Sequence, residues 1–567
     1  MSALQAGAAC LAVAVKADRT HNMSVIQDGI FVRFHPVQRE RSMHTRRQFL
    51  SIGCGFALVQ AWWASRAEIY GNLESPEGKP NHLPDTNFLD GSERAIAWLE
   101  ETVGPAVGQL AVKRSLEIQS SPFSVGLETL DRSMFDPTRV YGHLGKLGVK
   151  WARLQTGWAR TEQTPGVYNF GWLDDVVDAV IAEGVTPWFN LGYGNKLYTP
   201  EAPDTSAVGW IPIYNPDAQK AWLRYVRQLA IHFRNRVKHW EIWNEPNIKN
   251  FWKPGDPSPE LYAEFVAQTV KIIREEIPDV TIIGGALAGM PTDYLQKLLA
   301  AGIAQHVDRI SFHPYRPIPE DRYRETLETW RRLIQEAGND HLRLWQGENG
   351  CPSQPGSAGA LGQIDWNEIA QSKWLLRRVL YDRILELELT SYFHMVDLIG
   401  YNWGQGPTDK TNFKGLLRGT DYSPKPSYFA YQRVCSLFDH TAQRDAGLDA
   451  AVEVLEAGQP NPVNGSSTAQ KDWIPPAGFV RNEAPLWCFW FASDLMKTNP
   501  LRALALAVRK TEPGPAELLY LDLLSGKLFR ILRLEQKDNG SLIRGLPVGN
   551  YPVVIGSPKA FENLISS

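Results

Sequence analysis

The sequence predicts an α/β protein, a (β/α)8 TIM barrel followed by a C-terminal β-sandwich domain. Three observations lead there. Between Pro122 and Asp439, eight short β-rich runs alternate with longer amphipathic segments, the order that parallel strands with crossover helices require. Two of those runs end on a carboxylate, Glu245 and Glu348, and strand ends are where such a barrel places its chemistry. After Asp439 the helical period stops, and short β-rich runs between Pro-, Gly- and Asn-rich turns replace it.

A chain of 567 residues is too long for one ordinary core. Its 43 % hydrophobic and 21 % charged residues, with a net charge of -3, describe a globular chain without the basic block that nucleic acid requires. This near-neutral balance favours an uncharged partner. No run after residue 68 is long and apolar enough to cross a bilayer. The 20 Trp suit the stacking of sugar rings on aromatic faces, although for any single Trp a place in the core is the first reading.

Residues 43–67 have the order of an export signal. Met43-His-Thr-Arg46-Arg47-Gln-Phe-Leu resembles a twin-arginine motif, Ile52 to Ala64 is modestly apolar, and Ser65-Arg66-Ala67 is a small-x-small cleavage site. Because such a signal works at an N-terminus, residues 1–42 are expected to be a mis-assigned or disordered extension, with Met43 the start and the product periplasmic or extracellular. With Cys10 and Cys54 removed, Cys351, Cys435 and Cys488 remain, an odd number that implies no disulfide framework. Without CxxC or HxxxH spacing, no metal and no cofactor is expected. Residues 68–121 read as a linker and lead-in, Pro- and Gly-rich at first and helical around Ala95 to Thr102.

The barrel is assigned to 122–440. Its strands are placed at Phe123–Thr129, Val149–Gln155, Thr186–Gly192, Val237–Asn244, Thr281–Leu287, Val307–His313, Leu342–Glu348 and Thr390–Asp397. Between them, Ala218 to Asn235 repeats Trp222, Val226, Leu229 and Phe233 at helical spacing, and Ile369 to Leu387 repeats Leu376, Val379, Leu380 and Ile384. Gly184 and Gly338 stand where helices stop. An open doubly wound sheet would also alternate, but Gly126-Leu-Glu-Thr-Leu-Asp is not the Gly-rich phosphate turn that marks one.

In Val237-Lys-His-Trp-Glu-Ile-Trp-Asn-Glu-Pro-Asn247, Pro246 cannot donate to a ladder, so the strand stops beside Glu245. Asn244 and Glu245 alone could equally cap a helix or turn. The second run, Leu342-Arg-Leu-Trp-Gln-Gly-Glu348, supplies the missing partner. Strands four and seven face each other across a barrel mouth, so their carboxylates can converge on one bond. Glycoside hydrolysis needs this pair, one acid to protonate the leaving oxygen and one carboxylate to attack the anomeric carbon. Glu241 shares the parity of Glu245 but lies four residues deeper.

Trp243-Asn-Glu-Pro, the Glu348 strand end, and Ser311-Phe-His313-Pro-Tyr315 together resemble clan A of the glycoside hydrolases, nearest to family 39 and its relatives. The resemblance implies a retaining glycosidase that works through a covalent glycosyl-enzyme intermediate on β-linked oligo- or polysaccharides of the xylosidase, glucosidase or glucanase type. The alternative is an inactive carbohydrate-binding or scaffold protein on the same barrel, which the presence of both Glu residues argues against. It further implies Glu245 as acid/base, Glu348 as nucleophile and Asn244 as ligand of the sugar 2-hydroxyl. His313 and Tyr315 would orient the nucleophile and touch the sugar, Arg153 matches the clan's strand-two Arg, and Trp403 would be the platform under the ring. As acid, Glu245 is expected to titrate high through burial and the charge of Glu348, with Glu348 kept ionised by Arg153 and Tyr315. One departure is Gln346-Gly-Glu348-Asn-Gly, which lacks the aromatic that often follows the nucleophile in this clan.

For 446–567 the expected strands are Ala505–Arg509, Leu518–Asp522, Leu528–Leu534 and Tyr551–Ile555, with a turn at Lys537-Asp-Asn-Gly. They make a β-sandwich that either supports the barrel or binds carbohydrate.

Overall fold

Eight parallel strands close into a barrel in chain order: Phe123–Gly126, Trp151–Gln155, Thr186–Leu191, His239–Ile242, Thr281–Ala288, Arg309–His313, Arg343–Gln346 and Leu389–Tyr392. The last returns to the first through Phe123↔Thr390, Ser124↔Ser391 and Val125↔Tyr392. The computed structural model describes residues 84–401, 408–457, 473–509, 517–537 and 540–566. The extension 1–42, the leader 43–67 and Trp403 therefore lie outside the described residues. Among the described residues, no helix is long and apolar enough to cross a membrane.

Several expected strands run past the true ladder, and most of the excess is at the carboxyl end. For strand four the cause is local. Trp243 has φ +68° and Glu245 φ +47°, left-handed values that side chains rarely adopt and that no strand continues through. The turn is held by its surroundings. Asn190 Nδ2 donates to Trp243 O (2.6 Å), Trp243 Nε1 to Phe251 O (2.7 Å) and Glu245 N to Ala286 O (2.8 Å).

The helix expected at Ala218 begins at Pro216 and ends at Phe233. Pro216 suits the first turn, and the Asn215 side chain accepts from the N–H groups of Asp217 and Ala218. Its Trp222, Tyr225, Val226, Leu229 and Phe233 face inward. Gly184 and Gly338 have φ +79° and +72°, where a Cβ would be strained. Within the barrel, Trp188, Ile283, Trp345 and Leu389 form a separate apolar plug with Trp151 packed against it.

The chain also forms an eight-stranded antiparallel sheet and a four-stranded one, the two layers of the sandwich. Two expectations need correction. The stretch 68–121 is more than a lead-in: after the helix Glu93–Thr102, Ala106–Leu110 is a strand of the large sheet, paired as Ala106↔Phe529, Gly108↔Leu528 and Gln109↔Lys527. A five-residue run containing Gly and Gln has little β signature, and its partner comes from the far end of the chain. The run Leu528–Leu534 is two strands, Lys527–Arg530 and Leu534–Lys537, one in each sheet, and the chain crosses between them with Leu532 exposed.

Candidate active site

Arg153, on the second strand and fully buried, is the hub of the barrel mouth. Its Nε and Nη2 donate to Glu241 Oε2 (2.9 and 2.6 Å), and Nη2 also reaches Asn244 Oδ1 (2.9 Å). Its Nη1 reaches Glu348 Oε2 (2.7 Å) and Glu128 Oε1 (3.1 Å). Burial alone would lower the guanidinium's affinity for its proton, but the carboxylates of Glu241, Glu128 and Glu348 outweigh it, so Arg153 stays charged. Because Arg donates only, this contact also fixes which end of the Asn244 amide is oxygen.

Glu241 is thereby removed from candidacy as the acid. Besides Arg153 it accepts from Asn190 Nδ2 and Ser311 Oγ, and its side chain is wholly buried. Glu245 and Glu348 instead line one and the same cleft. His313 Nδ1 lies 3.0 Å from Glu245 Oε1 and 3.8 Å from Glu348 Oε2. One oxygen of each carboxyl and one nitrogen of His313 all lie within 4.8 Å of one another.

Burial pushes the Glu245 carboxyl up to about 7, against the pull of Arg153. The expected contribution from the charge of Glu348 is not what drives it. Burial pushes Glu348 up as well, and Arg153 only partly opposes it, so its donors do not hold it at an ordinary carboxylate value. Burial lowers His313 to about 4, so its imidazole is neutral near pH 7 and places no cation beside Glu245.

The two residues expected to serve the nucleophile divide their work. Tyr315 Oη donates to Glu348 Oε1 (2.8 Å), whereas the closer partner of His313 is Glu245. Asn244 and Tyr315 line the cleft, and Arg153 and His313 stand behind it. Flat walls come from Tyr193 and Phe251, stacked at 5.6 Å and 12°.

Several cleft residues carry no motif. Glu128 and Arg132 follow the first strand, and Asn412 and Lys414 lie on the long loop after the eighth. Lys414 is buried and donates to Ala358 O (3.2 Å) and Asn412 Oδ1 (3.3 Å); burial lowers it to about 7. The one signal available for Glu128 was its place just past a strand end, as for Glu245 and Glu348.

Among the described residues, Glu245, His313 and Glu348 have the donor atoms for a metal ion. The Arg153 cation 2.7 Å from Glu348 already supplies the positive charge that a metal would bring.

Residues 142–327 match the family model "Glycosyl hydrolases family 39". The chain is 25 % identical over 312 residues to a beta-xylosidase of Geobacillus stearothermophilus, an alignment that covers 50 % of this chain and 58 % of that protein. The chain thus spans little more than half the length of this curated relative. Two solved structures share the fold. One is a family 39 glycoside hydrolase from the gut symbiont Bacteroides cellulosilyticus WH2 (TM-score 0.52, 19 % identity, 76 % of this chain and 80 % of that one). The other is a monomeric beta-xylosidase from Caulobacter crescentus CB15 (TM-score 0.50, 17 % identity, 80 % and 97 %).

Proposed function

We propose that this chain, whose barrel groups with glycoside hydrolase family 39 of clan A, is a retaining glycosidase that cleaves β-xyloside-type linkages by double displacement. The observation behind this reading is the convergence of Glu245 and Glu348 in one cleft, with an oxygen of each within 4.8 Å. Inverting enzymes need about 6.5–9.5 Å between carboxyl groups to admit a water, and retaining ones need about 5–5.5 Å.

In this scheme Glu348 attacks the anomeric carbon as the glycosidic C–O bond breaks, and Glu245 passes its proton to the departing oxygen. The ester to Glu348 is then hydrolysed: Glu245, now a carboxylate, takes a proton from water, and the hydroxide equivalent displaces Glu348 from the opposite face. A carboxyl held near 7 suits this exchange of roles at neutral pH. Tyr315 and Arg153 release negative charge on Glu348 as it attacks and recover it as the ester breaks, while the Asn244 amide is free to donate to a sugar hydroxyl through its nitrogen.

Hydrolysis of an aryl β-xyloside followed by proton NMR tests the reading. The first sugar formed is expected to be the β-anomer, and initial formation of the α-anomer overturns it. For export, the Arg46-Arg47 pair supports a twin-arginine route. Replacing both with Lys is expected to hold the protein in the cytoplasm, and unchanged secretion rejects that route.

A further inference from the structure

The loop 314–322 leaves the sixth strand, carries Tyr315 to Glu348, and contains Pro314, Pro317 and Pro319, each with φ fixed by its ring. Such a loop has few internal hydrogen bonds, and its position is set from outside. Three side chains of the helix Glu368–Ile384 hold it: Trp374 Nε1 donates to Arg316 O (2.9 Å), Arg378 Nη1 to Pro319 O (2.9 Å) and Arg377 Nε to Glu320 Oε1 (2.8 Å).

The last of these contacts is shared with the sandwich. Trp490, in the strand Ala484–Phe491 of the large sheet, donates Nε1 to the same Glu320 oxygen (2.7 Å), and Arg377 Nη1 donates onward to Ser493 O (2.7 Å). Arg377 and Trp490 are fully buried and Glu320 nearly so. Burial would raise the Glu320 carboxyl, but Arg377 and the Trp490 N–H hold it below the usual carboxylate range, so it stays an anion between two donors. One buried carboxylate thus joins the active-site loop, the barrel helix and the sandwich.

We propose that the sandwich is a positioning part of the active centre: through Trp490 and Ser493 it fixes Glu320 and Arg377, and with them the loop that places Tyr315 on Glu348. This rests on the glycosidase reading for its kinetic consequence, but not for its structural one. Trp490, Glu320 and Arg377 touch no reacting atom and act only through Tyr315. The sandwich is accordingly not an appended sugar-binding module whose loss would leave the chemistry of small substrates intact.

The test is a double-mutant cycle on an aryl β-xyloside, combined with hydrogen exchange of the Tyr315, Asp321 and Tyr323 amides, which bond within the loop or to its flanks. Trp490→Phe keeps the ring volume roughly and removes the N–H. It is expected to speed exchange at those amides and to lower kcat by roughly three- to tenfold with KM within about twofold. In a Tyr315→Phe background the same change is expected to have no further effect on kcat, because the coupling runs through the lost hydroxyl. A structural role alone would give equal falls in both backgrounds, and that result overturns the proposal, as does unchanged loop exchange. Should Trp490→Phe fail to fold, Glu320→Gln, which keeps the shape and discards the charge, is read in the same way. Arg433→Leu is the control. It breaks a different contact between barrel and sandwich, Arg433 Nη1 to Leu523 O (3.1 Å), and is expected to alter neither kcat nor loop exchange. If the wild type hydrolyses no glycoside, the proposed function fails, while the exchange measurements still decide whether the sandwich holds the loop.

Discussion

Two layers inside the barrel lie a single side-chain step apart and are built on opposite terms. In the lower layer Trp151, Trp188, His239 and Trp345 pack edge to face or stacked, with centroids 4.8–5.9 Å apart, together with Ile283 and Leu389. Two residues further along the same strands, on the same face, stand Arg153, Asn190 and Glu241. The lower layer stabilises by removing apolar area from water. The upper layer gathers Glu128, Glu241 and Glu348 around one fully buried guanidinium, an arrangement in which ion pairs must offset a large desolvation cost. The lesson is a division of labour: the plug supplies rigidity and the charged layer consumes it to hold two carboxyls close in unequal settings.

Substitutions can break this contrast. The largest effect belongs to Glu348→Ala, which removes the proposed nucleophile and is expected to leave below ~10⁻⁴ of wild-type turnover on every substrate. Its counterpart Glu245→Ala is expected to keep the first step for aryl glycosides whose leaving group needs no proton, and added azide should then give a glycosyl azide of retained configuration. An azide of inverted configuration from Glu245→Ala would exchange the two roles. Next is Arg153→Met, which strands Glu241 without its cation and should cost about 3–5 kcal/mol as well as turnover. Trp345→Ala is expected to cost a similar ~3–5 kcal/mol by leaving a cavity in the plug, with kcat of the folded protein unchanged. If denaturant melts and kinetics showed Trp345→Ala losing kcat as severely as Arg153→Met, the two layers would not be separable.

The smallest effect sharpens the comparison most. Glu245 titrates near 7 when folded and at about 4.5 when unfolded. Below pH 4.5 both states hold the proton and nothing is lost. As pH rises towards 7 the unfolded chain releases its proton first, so stability falls, by on the order of 3 kcal/mol in full. Glu245→Gln has no such proton to lose. Its Tm advantage over wild type should grow between pH 4.5 and 7 and be flat above, and a gap independent of pH would show that the buried acid does not titrate near 7.

What was legible in the sequence follows from the same layering. Parallel strands buried on both faces leave β-rich runs at regular intervals; Asn244, Glu245, His313, Tyr315 and Glu348 sit on or just past strand ends, where that regularity points, and Arg153 lies within its strand. Lys414, Asn412, Tyr193 and Phe251 reach the cleft from loops, and a loop has no period to read. Nor does strand order reveal which of two nearby carboxyls a histidine will face: the imidazole of His313 sits between Glu245 and Glu348, and a difference of 0.8 Å decides it. The strand Ala106–Leu110 was missed because its partners lie over four hundred residues on.

That last pairing has a consequence for how the protein is made. The sandwich needs Ala106–Leu110 from near the front of the described chain and Lys527–Arg530 and Ile565–Ser566 from its end. On the ribosome the first of these strands emerges early and waits, its edge unpaired, through synthesis of the whole barrel. Closing so long a loop is slow, and this edge of the large sheet cannot form before Lys527–Arg530 and Ile565–Ser566 have been made. Completion of the large sheet therefore follows synthesis of the whole barrel.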